Sequence, residues 1–440
     1  MNRFVTFIAW GCLALPLALH AQDAADQPQP AAEKWWSFHF QATSIGQRHG
    51  SFFALYSGPN SLPDHPESRV SLTATAFLAA HFGRWQFVVN PEDAGGEGFG
   101  GVTGIAGFTN GEIPRVAKAT PTLYLARAFA SYTIPLASET EHVDDGPNQV
   151  GGSQPVRRLT LTGGKFGLTD FFDSNTYSHD PRGQFINWAI MYNGAWDYSA
   201  DTRGYTVGVL AELTMRRWSL RAANALMSTV ANGSVLDTRI AENRGNVVEW
   251  ESRYSPAGQP GALRVLAFAN TFDGGTFREA MLPNGTTDLA ATRRNGTLKY
   301  GFGLNLEQAV AHDVGIFARY GWADGKTEAW EFTEIDRSIS GGVSLGGVRW
   351  RRATDRVGVA AVRNYISGDQ RSFLAAGGLG FSIGDGRLNY RPESIVEAYY
   401  SWQALKVFTV TVDYQRVENP AYNHDRGPVS VYSLRLHLAR

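Results

Sequence analysis

Apolar and polar residues alternate with a period of two in many separate segments of the chain, and this pattern restricts the possible folds most strongly. In the segment 406–415 the two parities are Phe408, Val410, Val412 and Tyr414 against Thr409, Thr411, Asp413 and Gln415. The segment 299–307 repeats the pattern, with Tyr300, Phe302, Leu304 and Leu306 opposite Lys299, Asn305 and Glu307. Successive side chains of a β-strand point to opposite faces, so each segment predicts a strand with one apolar and one polar face.

Sixteen segments have this character and a length suited to crossing a membrane as tilted strands. They lie near 36–45, 68–80, 83–90, 122–134, 157–168, 204–214, 216–226, 246–254, 262–270, 297–307, 313–321, 338–348, 356–364, 394–403, 406–415 and 429–438. One segment fits poorly, because Leu125, Arg127 and Phe129 share a parity although one of them is charged. We therefore predict an all-β fold, a transmembrane antiparallel β-barrel of about sixteen strands.

The links between these segments alternate in length. Long links lie near 46–67, 91–121, 169–203, 227–245, 271–296, 322–337, 365–393 and 416–428, and links of a few residues lie between them. Outer-membrane barrels have long extracellular loops and short periplasmic turns, an arrangement that would place both termini in the periplasm. The acidic link near 135–156 is the exception, since it is long where a short turn is expected.

Alternation alone does not separate a membrane barrel from a soluble β-sandwich, which also has one apolar and one polar face. Sixteen such strands would need either a very large buried core or a surrounding layer of lipid. Aromatic residues at predicted strand ends, such as Trp36, Trp402 and Tyr432, are typical of the girdles at membrane interfaces. A barrel of this width cannot fill its interior with side chains, so the pattern indicates a polar, water-filled pore.

The first residues are predicted to be a signal peptide that is removed before folding. Arg3 precedes an apolar run that is too short to span a bilayer, and Ala21 is a suitable residue before the cleavage site. The expected organisation is a signal peptide (1–21), a periplasmic N-terminal segment (22–35) and an outer-membrane β-barrel (36–440).

Composition disfavours several other classes of function. Without residues 1–21, 39 Lys and Arg stand against 41 Asp and Glu, a formal charge of −2 that disfavours nucleic-acid binding. The only cysteine, Cys12, lies in the predicted signal peptide, so no disulfide is expected. No metalloprotease, nucleophile-elbow or zinc-ligand motif is present. We therefore expect no enzyme, no metal and no cofactor, although folding could assemble a catalytic set that no motif reveals.

Two long links carry the side chains best suited to narrowing a pore. The link 91–121 combines many glycines with Glu112 and Arg115, whose charged groups can hydrogen-bond to hydroxyls. An ordinary surface loop with solvated charges would have the same composition. The link 169–203 carries the polar residues Asp170, Asp173 and Asn175.

The second of these links also predicts a short helix. Asp180-Pro181 is a helix-start signal, and Asn193-Gly194 provides a plausible end. Between them, four residues share one helical face: Phe185, Trp188, Ala189 and Tyr192. We expect this aromatic face to pack against the barrel wall rather than to contact a solute.

Several segments resemble the OprB-type carbohydrate-selective porin family, and together they extend over most of the chain. They are 161–166, 170–175, 179–187, 397–400 and 413–420, with Asn110, Gly111, Glu112 and Arg127. The resemblance implies a sixteen-stranded channel with inward loops and a lumen whose charged and polar groups engage the hydroxyls of sugars such as glucose. One departure concerns assembly, because the chain ends Leu438-Ala439-Arg440 without the terminal aromatic residue that is common in outer-membrane barrels.

Seven residues are the candidates for pore constriction and solute binding: Glu112, Arg115, Arg127, Lys165, Asp170, Asp173 and Asn175. The resemblance implies acidic and basic constriction positions for Glu112 and Arg127, and it includes the last four residues in a Gly-Lys-Phe motif and the acidic motif that follows. Opposed charges in a narrow pore would create a transverse field that favours neutral polyols over ions. The same acidic residues could instead brace the loop against the wall.

The expected function is passive, carbohydrate-selective diffusion of small sugars through a loop-constricted pore in the bacterial outer membrane. The alternatives are a general-diffusion porin for small hydrophilic solutes and, less favoured, an outer-membrane barrel enzyme. The expected partners are sugars as transported solutes, outer-membrane lipid, the outer-membrane assembly machinery and, as a possibility, two further copies in a homotrimer. No nucleic-acid partner is expected.

Overall fold

The computed structural model describes residues 34–116 and 118–440, and within this part of the chain sixteen antiparallel strands form a closed barrel. The predicted signal peptide (1–21) and all but the last two residues of the predicted segment 22–35 lie outside the described residues. Each of the sixteen predicted segments overlaps one barrel strand, so the predicted fold class and strand number are confirmed.

The barrel strands follow chain order around the wall, and the first strand closes the ring by pairing with the last. They are β1 (Trp36–His49), β2 (Glu67–Phe82), β3 (Trp85–Gly96), β4 (Thr122–Pro135), β7 (Arg158–Phe166), β8 (Thr206–Thr214), β9 (Trp218–Ala225), β10 (Arg244–Tyr254), β11 (Gly261–Gly274), β12 (Arg294–Ala311), β13 (Val314–Ala323), β14 (Arg337–Gly346), β15 (Arg356–Tyr365), β16 (Glu393–Leu405), β17 (Phe408–Glu418) and β18 (Val429–Ala439). Because β4 pairs directly with β7, the two intervening strands lie outside the wall and pair with each other: β5 (Thr140–Val143) and β6 (Gly152–Pro155).

The helices are short and lie in the loops. They are α1 (Ile113–Val116), α2 (Trp188–Met191), α3 (Phe277–Ala280) and α4 (Gly368–Ala375). No helix of the described residues is long and apolar enough to cross a membrane.

The burial of the strands is opposite to that of a soluble sandwich. Along β12 the apolar residues Leu298, Tyr300, Phe302, Leu304 and Leu306 are exposed, whereas the alternate residues are buried. Leu304 is 40% exposed, but the neighbouring inward parity includes Lys299, which is 1% exposed. A water-soluble sandwich would bury the apolar parity. The wall therefore has an apolar outer face and a polar inner face, as a membrane barrel requires.

A bulge explains the strand that alternated poorly in the sequence. Asn90 of β3 pairs with Arg127, but the next residue, Pro91, pairs with Leu125, so Ala126 is an extra residue on β4. Pro91 has no N–H to donate to the ladder, and such positions favour bulges. The extra residue reverses the parity, which leaves Leu125 45% exposed on the outer face and turns Arg127 inward.

Candidate functional site

Two extracellular loops bend into the barrel and cross its lumen: L2 (97–121) and L3 (167–205). L3 begins after β7, and the wall on the opposite side of the barrel binds it through charged side chains. Glu397 of β16 accepts hydrogen bonds from the backbone N–H groups of Ile186 and Asn187 at 2.6 and 3.0 Å. Arg435 of β18 donates to the carbonyl oxygens of Pro181 and Gln184 at 2.7 and 2.6 Å. L3 therefore spans the lumen from β7 to the opposite side of the barrel.

Polar side chains of the wall likewise bind the backbone of L2. Glu393 of β16 accepts from the backbone N–H groups of Ala106 and Gly107 at 3.0 and 2.8 Å. The carbonyl oxygen of Thr109 accepts from the side chains of Gln47 on β1 and Gln415 on β17, each at 2.8 Å. L2 thus lies across the lumen beside L3.

A group of opposite charges, which we call the charged belt, joins the two loops to the wall. It consists of Glu92 of β3, Glu112 of L2, Arg127 of β4, and Asp170 and Arg182 of L3. Arg182 lies 3.0 Å from Glu112 and 3.2 Å from Glu92. Arg127 donates to Asp170 through Nε at 2.7 Å and through Nη2 at 2.5 Å. These paired bonds are the fork geometry that guanidinium groups form with carboxylates.

Hydroxyl groups of the wall and L3 complete the belt. Thr73 of β2 donates to Glu112 at 2.6 Å, and Thr75 donates to Glu92 at 2.5 Å. Tyr205 donates to the other oxygen of Glu92 at 3.0 Å, and Tyr124 also donates to it. Each carboxylate is therefore held in one position by its hydroxyl donors.

One N–H group of Arg127 has no hydrogen-bond partner among the described residues. This group is Nη1, and the side chain is 6% exposed. The guanidinium carbon lies 5.1 Å from the centre of the Tyr205 ring, so the ring and Asp170 hold the group in place. Because Nη1 is also inaccessible to water in this arrangement, a solute hydroxyl can accept from it only after the neighbouring side chains move.

Four residues of the charged belt line the larger of two cavities. The larger, the inner chamber, has a volume of about 620 Å³ and is lined by Glu112, Arg127, Asp170 and Arg182, among others. The smaller, the outer vestibule, has a volume of about 460 Å³ and is lined by Ile113 of L2 and other loop residues. The consecutive residues Glu112 and Ile113 face different cavities, so L2 separates the two spaces.

The structure brings together three of the seven candidate residues, since Glu112, Arg127 and Asp170 all line the inner chamber. Lys165, at the end of β7, lies 3.6 Å from Asp201 of L3 and does not line either cavity. The side chain of Arg115 lies outside the described residues.

The other two candidates, Asp173 and Asn175, hold L3 against the wall. The Asp173 carboxylate accepts from Asn305 of β12 at 2.7 Å, from Arg319 of β13 at 3.1 Å and from the backbone N–H of Asn193 at 2.7 Å. Asn175 donates to Asn305 at 2.8 Å. The alternative interpretation, in which polar side chains of this loop brace it against the wall, therefore fits Asp173 and Asn175.

Two members of the charged belt, Glu92 and Arg182, were not among the candidates. Glu92 was placed in a loop, but β3 continues to Gly96, so Glu92 is a strand residue on the polar parity of Gln86 and Asn90. Extending the alternation by one step would have found it. The sequence has no corresponding signal for Arg182, because only the path of L3 brings it to β3.

The predicted helix of L3 is shorter than expected. The chain turns at Asp180 and then runs extended, and α2 begins only at Trp188, with the Asn187 side chain capping the Ala189 N–H at 3.0 Å. Glu397 binds the backbone amides of residues 186 and 187, which favours the extended path over an earlier helix start. Phe185 packs against the wall as expected, on Phe317 of β13 and Tyr399 of β16. Trp188 instead packs between Phe108 of L2 and the loop residue Phe332, and Tyr192 lines the inner chamber.

A third inward loop, L6 (324–336), carries buried carboxyl groups. Burial raises the pKa of Glu334 to about 7 and that of Asp336 to about 6, and it raises the pKa of Glu331 well above its ordinary value. Glu334 accepts hydrogen bonds from Ser382 and from the Ile383 N–H, which partly offset the effect. L6 therefore takes up protons when it packs into the barrel.

The free energy of unfolding is expected to decrease as the pH rises from about 4.5 to about 7. Because the pKa of Glu334 is raised on folding, its contribution is complete below about pH 4.5 and is lost as the pH rises through about 7. Thermal unfolding should occur at a higher temperature at pH 5 than at pH 8, and Glu334→Gln should reduce that difference. The exposed Glu97→Gln is the control, and an unchanged difference in Glu334→Gln would contradict the interpretation.

Asp173→Asn should release L3 while the barrel stays folded. Asparagine tolerates the left-handed backbone at this position, where φ is 55°, but it leaves the buried Arg319 without its carboxylate. Breaking a buried ion pair in this way costs about 3–5 kcal/mol. Trypsin should then cut after Arg182 in the variant but not in the unmodified protein or in the exposed-loop control Asp288→Asn. Equal resistance in all three would show that Asp173 does not hold L3.

Within the described residues 34–116 and 118–440, no group of three or more His, Cys, Asp or Glu side chains could hold a metal ion.

Comparison with known proteins agrees with this architecture. Residues 69–439 match the model of the carbohydrate-selective porin, OprB family. A search of curated proteins gave no match. The high-pH structure of Pseudomonas putida OprB is 14% identical, with a TM-score of 0.69 over 92% of this chain and 94% of that chain. The outer membrane channel DcaP of Acinetobacter baumannii is 9% identical, with a TM-score of 0.51 over 92% and 97% of the two chains. At these identities the solved structures support the fold alone, whereas the family match covers nearly all of the described barrel. The chain belongs to the OprB family of carbohydrate-selective porins.

Proposed function

We propose that the charged belt is the constriction of the pore and that it selects small neutral sugars during passive diffusion. The observation that carries the proposal is Arg127, whose guanidinium is fixed by Asp170 at the wall of the inner chamber. Glu112 and Arg182 lie at the same cavity. Solutes would thus meet both signs of charge where L2 and L3 meet the wall.

The broader function follows from the family. The protein is a channel of the bacterial outer membrane through which carbohydrates pass, and family and fold indicate a channel rather than an enzyme. The charged belt supplies a physical basis for the proposed selection of small neutral sugars.

The selection rests on electrostatics and hydrogen-bond geometry. Opposed charges create a transverse field that orients the dipoles of hydroxyl groups, whereas an ion of either sign meets at least one repelling group. A guanidinium group can donate to two neighbouring hydroxyls, which an ammonium group cannot match in geometry. Each contact is weak, so a sugar can bind and then leave.

The seven candidate residues then divide into two roles. We assign solute contact to Glu112, Arg127 and Asp170, because they line the inner chamber. We assign positioning of L3 to Asp173 and Asn175, because they bind β12 and β13. Lys165 is assigned to the attachment of L3 through Asp201, and Arg115 stays a prediction from the sequence.

The proposed partners other than sugars rest on the outer face and the ends of the barrel. Exposed apolar side chains of the strands, such as Val412 and Leu434, are suited to contact with lipid. The outward-facing Tyr432 and the alternation of β18 are the features that we propose for contact with the assembly machinery. The homotrimer stays a prediction from the sequence.

Liposome swelling tests the selectivity for neutral solutes. Liposomes containing the protein should take up glucose at least about threefold faster than gluconate or glucosamine, which have nearly the same size but carry a charge. Equal rates for all three would contradict selection at the belt and support a general-diffusion porin. Absence of conductance steps in planar bilayers would contradict both types of channel.

Arg127→Ala should widen the constriction and weaken sugar binding. Removing the guanidinium deletes a charged donor group from the chamber wall, and hydrogen bonds from charged groups contribute about 1.5–3 kcal/mol, so glucose block of the current should weaken about tenfold or more. Single-channel conductance should rise. Arg127→Lys should recover the charge but little of the sugar block.

The control for this experiment is Arg278→Ala, since Arg278 lies in an exposed loop with a side chain that is 80% exposed. Neither conductance nor sugar block should change in it. Arg127→Ala with lower thermal stability but unchanged sugar block would show that Arg127 only neutralises Asp170.

A further inference from the structure

The periplasmic link (136–157), the one long connection among short turns, folds back into the barrel. The Asn90 side chain donates to the side-chain oxygen of Asn148 at 2.5 Å, and the Gln86 side chain donates to the carbonyl oxygen of Asn148 at 3.1 Å. Ser37 of β1 donates to the carbonyl oxygen of Gln149 at 3.2 Å. Asn90 is buried and lies five residues into β3, about 16 Å along the strand, so the tip of the link reaches well inside the wall.

An apolar contact fixes the tip in this position. Val150 is buried and belongs to the same apolar cluster as the inward-facing side chains Ala79 of β2, Val88 of β3 and Phe129 of β4. Asn148 has a φ of 64°, a left-handed conformation that asparagine tolerates and that turns the tip towards the wall. The contact combines buried apolar area with four hydrogen bonds, which is more than a solvated turn requires.

The charges of the link are separated from the side that faces the lumen. The residues of the link that line the inner chamber are all neutral: Pro147, Asn148, Gln149, Ser153, Gln154 and Pro155. None of the acidic residues of the link lines the chamber, and the side chains of Glu139, Glu141 and Asp144 are 53%, 48% and 97% exposed. A link that served only to join β4 and β7 would have no reason for this division.

We propose that the periplasmic link is the floor of the inner chamber and that the chamber is a second solute site, which holds a neutral polyol after it has passed the charged belt. This inference rests on the proposed function, because the polyol must enter through the belt. The link narrows the pore a second time, on the periplasmic side.

The chemistry of the chamber matches such a ligand. Its volume of about 620 Å³ lies within the range of about 300–1,000 Å³ typical of small-molecule sites. Arg127 lines the chamber on the side of the charged belt, and Asn148, Gln149 and Gln154 line it on the side of the periplasmic link. Phe129 and Phe171 line the same space and offer apolar rings to the C–H faces of a sugar.

The link can be removed without breaking the wall. The ladder between β4 and β7 continues through a backbone hydrogen bond from the Leu136 N–H to the Arg157 carbonyl oxygen at 2.8 Å. Residues 137–156 can therefore be replaced by Asn-Gly, a pair that favours two-residue hairpin turns. The barrel already has such a turn at Gly83-Arg84, between the paired residues Phe82 and Trp85.

In the full-length channel with this replacement, we expect conductance to rise about twofold or more, because one of two narrow regions is removed. Raffinose uptake relative to glucose should increase, and the residence time of glucose in the channel should fall about tenfold. The preference for glucose over gluconate should persist, since the belt is unchanged. A folded variant with the same conductance and glucose residence time as the unmodified protein would overturn the proposal that the periplasmic link is the floor of the chamber. That result would not contradict the proposed function.

Point variants keep the test valid if the replacement does not fold. Asn148→Gly together with Gln154→Ala retains the backbone but removes two amides from the chamber, and it should shorten glucose residence several-fold. Asp144→Ala in the same link is the control, since that side chain does not line the chamber. Equal residence times in the double variant and the control would overturn the second site, whereas loss of the glucose preference in the unmodified protein would count against the belt.

Discussion

A wall of sixteen strands encloses a space too wide for its own side chains to fill, so the loops that enter it must be held there by the wall. A loop inside the lumen removes backbone N–H groups from bulk water, and each buried group left without a partner costs about 1–3 kcal/mol. Inward carboxylates meet this requirement. Glu393 binds two amides of L2, and Glu397 binds two amides of L3. Both are on β16, which therefore fixes where the two loops cross.

The charged belt is a consequence of that crossing. Because L2 and L3 are held on β16, their other ends return to β2, β3 and β4, where Glu112 and Arg182 meet Glu92. Buried charges of one sign would repel each other and the loops would leave the lumen. Opposite charges instead pair at 3.0 and 3.2 Å, so the same contacts that stabilise the loops produce the electrostatic field of the pore.

The polar parity of the strands had two possible uses, and the sequence alone could not separate them. A polar inner face can contact water, or it can bind loops. Lys299 was assigned to the inner face from the alternation, but in the fold its Nζ lies 3.1 Å from Asp197 of L3. Asn305 and Arg319 similarly bind Asp173. Much of the inner face therefore holds loops in place rather than contacting solute.

The sequence by itself determined the barrel, since a period of two with alternating link lengths admits few other folds, and local strand geometry sets that period. It also named Glu112, Arg127 and Asp170 as candidates for solute contact, a role that stays a prediction, and all three line the inner chamber. Only the tertiary structure decided the late start of α2, the bulge at Ala126 and the inward path of the periplasmic link. The reason is that strand alternation is local, whereas a loop's path depends on hydrogen bonds to residues far away in sequence, such as Ile186 and Glu397, whose proximity exists only after the barrel has closed.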